Sequence, residues 1–196
     1  MSQLSYLPFP PLDWQGDEWE GTVTLPAFTG FARLRHRSQP VSGEGSSGAL
    51  RLIVLPPDGT ELDGDEPDSP TNEQKAAFAF LLAHPEAVRD AVLRALFARY
   101  PDWLADCDFD GAQARLMQSI KTPDALRQVM EVTHLRVFAV HKDGLAYIGL
   151  GGLASWDDEH GFGAMMHGTR IVWVGGRDVA YLEWIAEEDV QRTAPP

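Results

Sequence analysis

The chain has one cysteine, Cys107, in 196 residues. A lone thiol cannot close an internal disulfide, so a reducing compartment, the cytoplasm, is the expected setting. Asp106 and Asp108 flank it and oppose a thiolate, which argues against a nucleophile. Positive charge is also scarce. Sixteen Lys and Arg face 29 Asp and Glu, for a net charge of −13. Such a surface repels phosphate backbones and anionic lipid, so neither nucleic acid nor membrane is an expected partner, whereas a basic protein is. No apolar run approaches the ~20 residues of a membrane helix. No basic segment followed by an apolar stretch opens the chain, so no secretory signal is expected. GxSxG, CxxC, a helical HExxH and a phosphate-cradling glycine loop are all missing. Gly149–Leu150–Gly151–Gly152 opens no helix and is a poor dinucleotide signal. No internal repeat is found, and no cofactor is expected.

What remains is a chain that is 44% hydrophobic, enough for a core. It reads as a single α+β domain over 1–196. Residues 1–18, with Pro8, Pro10 and Pro11, form an irregular lead-in. Residues 19–55 carry the N-terminal strands: Trp19, Gly21, Val23 and Leu25 alternate with polar residues, and Leu50–Leu55 is a second short run. A Gly- and Ser-rich loop at 38–48 separates them. Residues 56–70 are an acidic loop. Across 58–73 lie Asp58, Glu61, Asp63, Asp65, Glu66, Asp68 and Glu73 without a base. A calcium loop needs a central glycine and a closing glutamate in register, and Pro67 and Pro70 break that pattern. A solvated acidic loop is the expectation.

Residues 71–131 read as helical. Thr71 and Gln74 have capping-box spacing. Phe78, Leu81 and Leu82 give one apolar face, and Val88, Ala91, Val92, Ala95 and Leu96 give another beyond the His84–Pro85 break. Residues 101–121 are an acidic connector with one helical turn near Ala112–Met117. Thr122–Pro123–Asp124 opens a short helix through Met130. From 132 to 185 the pattern is β, with strands near 134–141, 145–156, 162–167 and 170–175. Their short connections force an antiparallel meander. Gly149, Gly151 and Gly152 in its second strand signal a bulge or a close backbone approach. Residues 186–196 are a tail. The fold class is therefore α+β: an antiparallel sheet with a C-terminal four-stranded meander and two to three helices packed on one face. Trp156, Trp173 and Trp184 are expected in the core. Trp14 and Trp19 either pack on the sheet or form an exposed anchor. Met165–Met166 fills the core on one side and offers an adaptable surface on the other.

The meander sorts the polar residues by end. The 157–161 turn, the exit carrying Arg177 and Asp178, and His134 belong at one end. His141 and His167 belong at the other. His160 and His167 then stand on the order of 20 Å apart at ~3.3 Å per residue. Zinc ligands all lie ~2 Å from one ion, so this pair cannot share a metal. The candidate functional cluster is Asp157, Glu159, His160, Arg177 and Asp178, with Asp158 in the same turn. It reads either as a site for acid–base or metal chemistry or as a hydrogen-bonded turn.

Trp156–Asp157–Asp158–Glu159–His160–Gly161–Phe162–Gly163, followed by Ile171–Val172–Trp173–Val174–Gly175–Gly176–Arg177–Asp178, resembles the C-terminal signature of a bacterial domain family of unknown function, WDxEHGxG … VxxVGxxD. The WEGTVTLPAF stretch from Trp19 to Phe28 and Asn72–Glu73–Gln74 are similar to that group's N-terminal half. The resemblance implies a small cytosolic α+β protein and no particular activity. Charge favours a noncatalytic binding protein, with an immunity-type inhibitor of a basic protein as its sharpest form. The alternative is a metal-dependent hydrolase using Asp157, Glu159, His160 and Asp178, its metal unspecified. A third reading is a homo-oligomer paired through an edge strand or the methionine face, and the sequence leaves the oligomeric state open.

Overall fold

The computed structural model describes residues 6–33, 45–57, 69–105 and 111–193. Residues 38–44 of the expected Gly/Ser loop, the acidic run 58–68 and Cys107 lie outside them, and the loop's last two residues, Ser47 and Gly48, belong to a strand. Strands β1 (Asp13–Trp14), β2 (Trp19–Thr29) and β3 (Ser47–Val54) come first. Helices α1 (Asn72–Ala83), α2 (Pro85–Ala105) and α3 (Gly111–Ser119) follow. A 3-10 turn at Asp124–Gln128 leads into β4 (Met130–Lys142), β5 (Leu145–Ala154), β6 (Phe162–His167) and β7 (Arg170–Gly175). A second 3-10 turn, Arg177–Ala180, and helix α4 (Glu183–Thr193) complete the order. All seven strands form one sheet whose spatial order is the chain order. Every neighbouring pair is antiparallel except β3 and β4, which run parallel from Arg51↔His134 to Val54↔Val137. The β4–β7 meander is as expected.

Parallel neighbours need a long crossover, and α1 to α3 supply it. Thr71 and Gln74 make the capping box: the Gln74 N–H donates to Thr71 Oγ1 at 3.2 Å, and the Thr71 N–H donates to Gln74 Oε1 at 2.8 Å. Gln74 is fully buried. Its Nε2 donates to the Leu55 carbonyl at 2.6 Å and to the Phe138 carbonyl at 3.2 Å. One side chain thus caps α1 and ties the residue just past β3 to β4.

The main core lies on the helix-bearing face. Phe78, Leu81, Val92 and Leu96 of α1 and α2 meet Leu52, Val137, Ile148 and Leu150 of the sheet. Trp19 is fully buried with Trp14 edge-on at 5.2 Å, so these rings pack on the sheet. Phe138, Tyr147 and Met165 point to the opposite face, where Val179, Ile185 and Ala186 cover them. β5 is therefore apolar on both sides because both sides are covered.

Several boundaries differ from the sequence reading. Residues 183–193 form α4, where a tail from 186 and meander up to 185 were expected. The sheet-facing residues Leu182, Ile185, Ala186 and Val190 have helical spacing, masked by the acids between them. α2 runs through Pro101 to Ala105, and α3 fills 111–119 of the supposed connector. β4 begins at Met130, because Val132 and Leu135 already face the core. Met165 and Met166 are both buried, one on each face, so this pair offers no adaptable surface. Trp173 and Trp184 are 52% and 48% exposed rather than core. Trp173 sits on the edge strand β7. Trp184 points outward because Ile185 and Ala186 take the sheet-facing positions of α4.

The Gln74 arrangement yields a stability prediction. Gln74→Ala strips partners from two carbonyls and one N–H and should cost about 3 kcal/mol in urea unfolding. Gln74→Glu keeps an acceptor but sets a buried charge against two carbonyl oxygens. It should cost more than alanine does.

Candidate functional site

The 157–161 turn is built from its own side chains. Trp156 is buried and stacks on Trp103 at 5.5 Å, with Tyr100 edge-on at 5.5 Å. This anchors the start of the turn. Asp157 Oδ1 accepts the N–H groups of Glu159 at 3.2 Å and His160 at 2.8 Å, an Asx-type brace. Asp157 Oδ2 lies 3.1 Å from His160 Nδ1. The Gly161 N–H donates to the Asp157 carbonyl at 2.9 Å. Gly161 has φ +62°, and a Cβ there would lie 2.2 Å from the Gly152 carbonyl oxygen, so only glycine is accommodated. Asp158 pairs with Arg33 at 3.2 Å.

The exit from β7 comes back to this turn. The Arg177 N–H donates to the His160 carbonyl at 2.8 Å, and its guanidinium donates to the Glu159 carbonyl at 3.2 Å. Gly176 lies between: a Cβ built on it would be 2.9 Å from Asp178 Oδ1 and 3.5 Å from His160 Cβ. The structure therefore gathers Asp157, Glu159, His160, Arg177 and Asp178 at one end of the meander. Their recorded bonds are those of a braced bend. Asp157 is spent on backbone and imidazole, and Glu159 contributes backbone groups. Among the described residues, no group of three or more His, Cys, Asp or Glu side chains is placed to hold a metal ion. His167 stands at the opposite end of β6, where its Nε2 donates to the carbonyls of Lys142 at 2.9 Å and Leu145 at 3.2 Å. Two carbonyl acceptors require the proton on that nitrogen.

His134 lies inward from the cluster, 5% exposed, under the ring of Tyr181 at 4.8 Å. Its Nδ1 is 3.1 Å from Thr133 Oγ1, and its Nε2 has no hydrogen-bond partner. Room for the imidazole comes from Gly151, whose Cβ would fall 2.5 Å from Nε2. Burial, reinforced by Arg177, Arg51 and Arg136, holds His134 down at about 4. Arg136 sits 5.2 Å over the Tyr181 ring and pairs with Glu18 at 3.4 Å.

A second concavity lies toward the other end of the sheet, on the α4 face. A cleft of about 540 Å³ opens between the first turn of α1, the end of β4 and α4. Thr71, Glu73, Val140, His141, Glu187 and Gln191 line it. Glu73 is held below the usual carboxylate range by its own backbone N–H at the start of α1, helped by Thr71 and His141. Sequence reading missed this site because it left α4 as tail. The usable signal was the spacing of Leu182, Ile185, Ala186 and Val190. The outer face of α4 was missed for the same reason. It carries Trp184, with Glu187 and Glu188 three and four residues after it.

α4 is held to the sheet through Asp189. Its carboxylate receives both guanidinium nitrogens of Arg170, at 2.9 and 2.5 Å, and the Tyr147 hydroxyl at 2.6 Å. Arg170 leads in holding Asp189 down at about 2. Burial and Asp189 push Tyr147 up.

A family model described as "Domain of unknown function (DUF6985)" matches residues 39–182. The match spans β3 to β7 and ends before α4. No curated protein and no solved structure matches the chain.

These titrations set a pH dependence with two separate windows. The unfolded His134 takes up a proton near 6.5 and the folded one only near 4. Stability should therefore fall as pH drops from about 6.5 to 4, by up to about 3 kcal/mol. Asp189, depressed in the folded state, gives up its share only as pH falls from 3.8 toward about 2. Urea midpoints at pH 7.5 and 4.5 should converge in His134→Gln relative to the parent. Equal losses in both proteins would show that His134 does not carry the upper window.

Proposed function

The chain belongs to the DUF6985 family of domains of unknown function, and on that footing we propose that it is a noncatalytic binding protein for a basic protein partner. The supporting observation is the outer face of α4. Trp184 is 48% exposed there, while most other large rings among the described residues are buried, Trp173 on β7 apart. Exposed Trp and Tyr are the side chains that most often anchor interfaces. Glu187 and Glu188 share that face, and the whole chain carries −13. An aromatic anchor rimmed by carboxylates suits a partner with cationic and apolar side chains, and net charge of that size steers such a partner in. A cytosolic inhibitor of a basic toxin is the sharpest form of this reading. The metal-dependent hydrolase gains no ligand set from the described residues.

The reading is tested with a labelled 20-residue peptide of alternating lysine and apolar residues, against a neutral peptide of equal length. Affinity for the cationic peptide should fall at least tenfold between 50 and 300 mM salt. Trp184→Ala should weaken it about tenfold, a loss of about 1.4 kcal/mol. Equal affinity for the neutral peptide, or none lost in Trp184→Ala, would sink the proposal.

A further inference from the structure

We propose that the cleft between α1, β4 and α4 is the receptor for one lysine or arginine side chain of the partner. The inference rests on the basic-partner reading above and adds where the partner's charge is seated. The cleft, at about 540 Å³, has the size of a small-ligand site. Its chemistry is divided. Val140 and Val190 give apolar wall, while Glu73 and Glu187 bring carboxylates from two elements distant in sequence. Gln191 adds an amide and His141 an imidazole. Among the described residues, no Lys or Arg lines it. An apolar stem ending in a cation matches that division: methylenes lie along the valines while the head reaches the carboxylates.

Position strengthens the case. Glu187 lies three residues after Trp184 on α4, so the cleft begins where the aromatic anchor face ends. A partner strand laid over α4 could cover Trp184 and drop one side chain into the cleft. The α1 wall is held in place by the capping box, and the α4 wall by the Arg170–Asp189–Tyr147 contacts. Both walls are therefore set before any partner arrives, which limits the ordering cost of binding.

The probes are the capped tripeptides Gly-Arg-Gly and Gly-Lys-Gly, with Gly-citrulline-Gly as the uncharged match of the arginine form. Backbone amide shifts of the ¹⁵N-labelled protein report where each binds. Saturable shifts are expected at Val140, His141 and Gln191 with either cationic peptide and not with citrulline. The double variant Glu73→Gln, Glu187→Gln should weaken the cationic peptides at least fivefold, with its urea midpoint checked against the parent to confirm folding. Glu187→Gln alone, on the exposed side of α4, should weaken them at least twofold and serves if the double variant fails to fold. Equal shifts from citrulline, shifts confined to other residues, or unchanged affinity in a folded variant would overturn the cleft. The two readings fail differently. A 20-residue cationic peptide that binds through Trp184 but leaves the cleft amides unmoved removes the cleft alone. A 20-residue peptide that does not bind at all removes the basic-partner reading and this inference with it.

Discussion

The parallel junction between β3 and β4 is the constraint on which the rest of the molecule depends, and Gln74 holds it. Every other strand pair is local and antiparallel. Only this pair joins distant parts of the chain, and only through a crossover of about 75 residues that must begin in the right place. Gln74 fixes that place with three hydrogen bonds of its fully buried side-chain amide and one of its backbone N–H. Both donors and the carbonyl of its side chain are used, and its own N–H completes the cap. The Leu55 N–H extends the junction by donating to the Val137 carbonyl at 3.0 Å. With α1 so placed, Phe78 and Leu81 reach the middle of the sheet, and Thr71 and Glu73 end up on the rim of the cleft.

The opposite face of the sheet is organised by what is missing from it. Gly149, Gly151 and Gly163 leave a strip without side chains. The Arg177–Ala180 turn lies on that strip: a Cβ at Gly149 would fall 2.2 Å from the Ala180 carbonyl oxygen, and one at Gly163 2.5 Å from that of Gly176. This close approach draws residues 176–178 against the 157–161 turn. It also brings Tyr181 over His134 and sets the starting point of α4. The placement of the acidic turn is therefore a consequence of packing, and the Asp157 carboxylate braces it from within.

Much of the fold was legible because its signals are local. The capping box at Thr71 and Gln74, the Asp143–Gly144 turn with φ of +50° and +78°, and the glycine-led turn at Gly168 each act within four residues. Antiparallel connectivity then placed the 157–161 turn beside Arg177 and Asp178. The glycines of β5 announced a close backbone approach, although not which segment approaches. Three things were out of reach. The parallel pairing of β3 with β4 depends on residues about 80 positions apart. The roles of Gln74 and His134 come from carbonyls and rings contributed by other elements. The two exposed tryptophans were read as core because ring size predicts burial on average, while an edge strand and an outward helix position decide it in the particular case.

α4 shows why an exposed tryptophan here is enforced and not incidental. A helix turns about 100° per residue, so Asp189 and Trp184 lie about 140° apart around its axis. Once Asp189 is bound to Arg170 and Tyr147, the rotation of α4 is fixed and Trp184 has no route to the sheet. Turning Trp184 inward would carry Asp189 away from the sheet, breaking its bidentate contact with Arg170 and leaving the Tyr147 hydroxyl without this acceptor. The same rotation carries Glu187 to the far side from Asp189, where it faces the cleft. One half-buried carboxylate thus fixes both the aromatic face and the acidic wall. The surface proposed to meet a partner is as rigidly specified as the core beneath it.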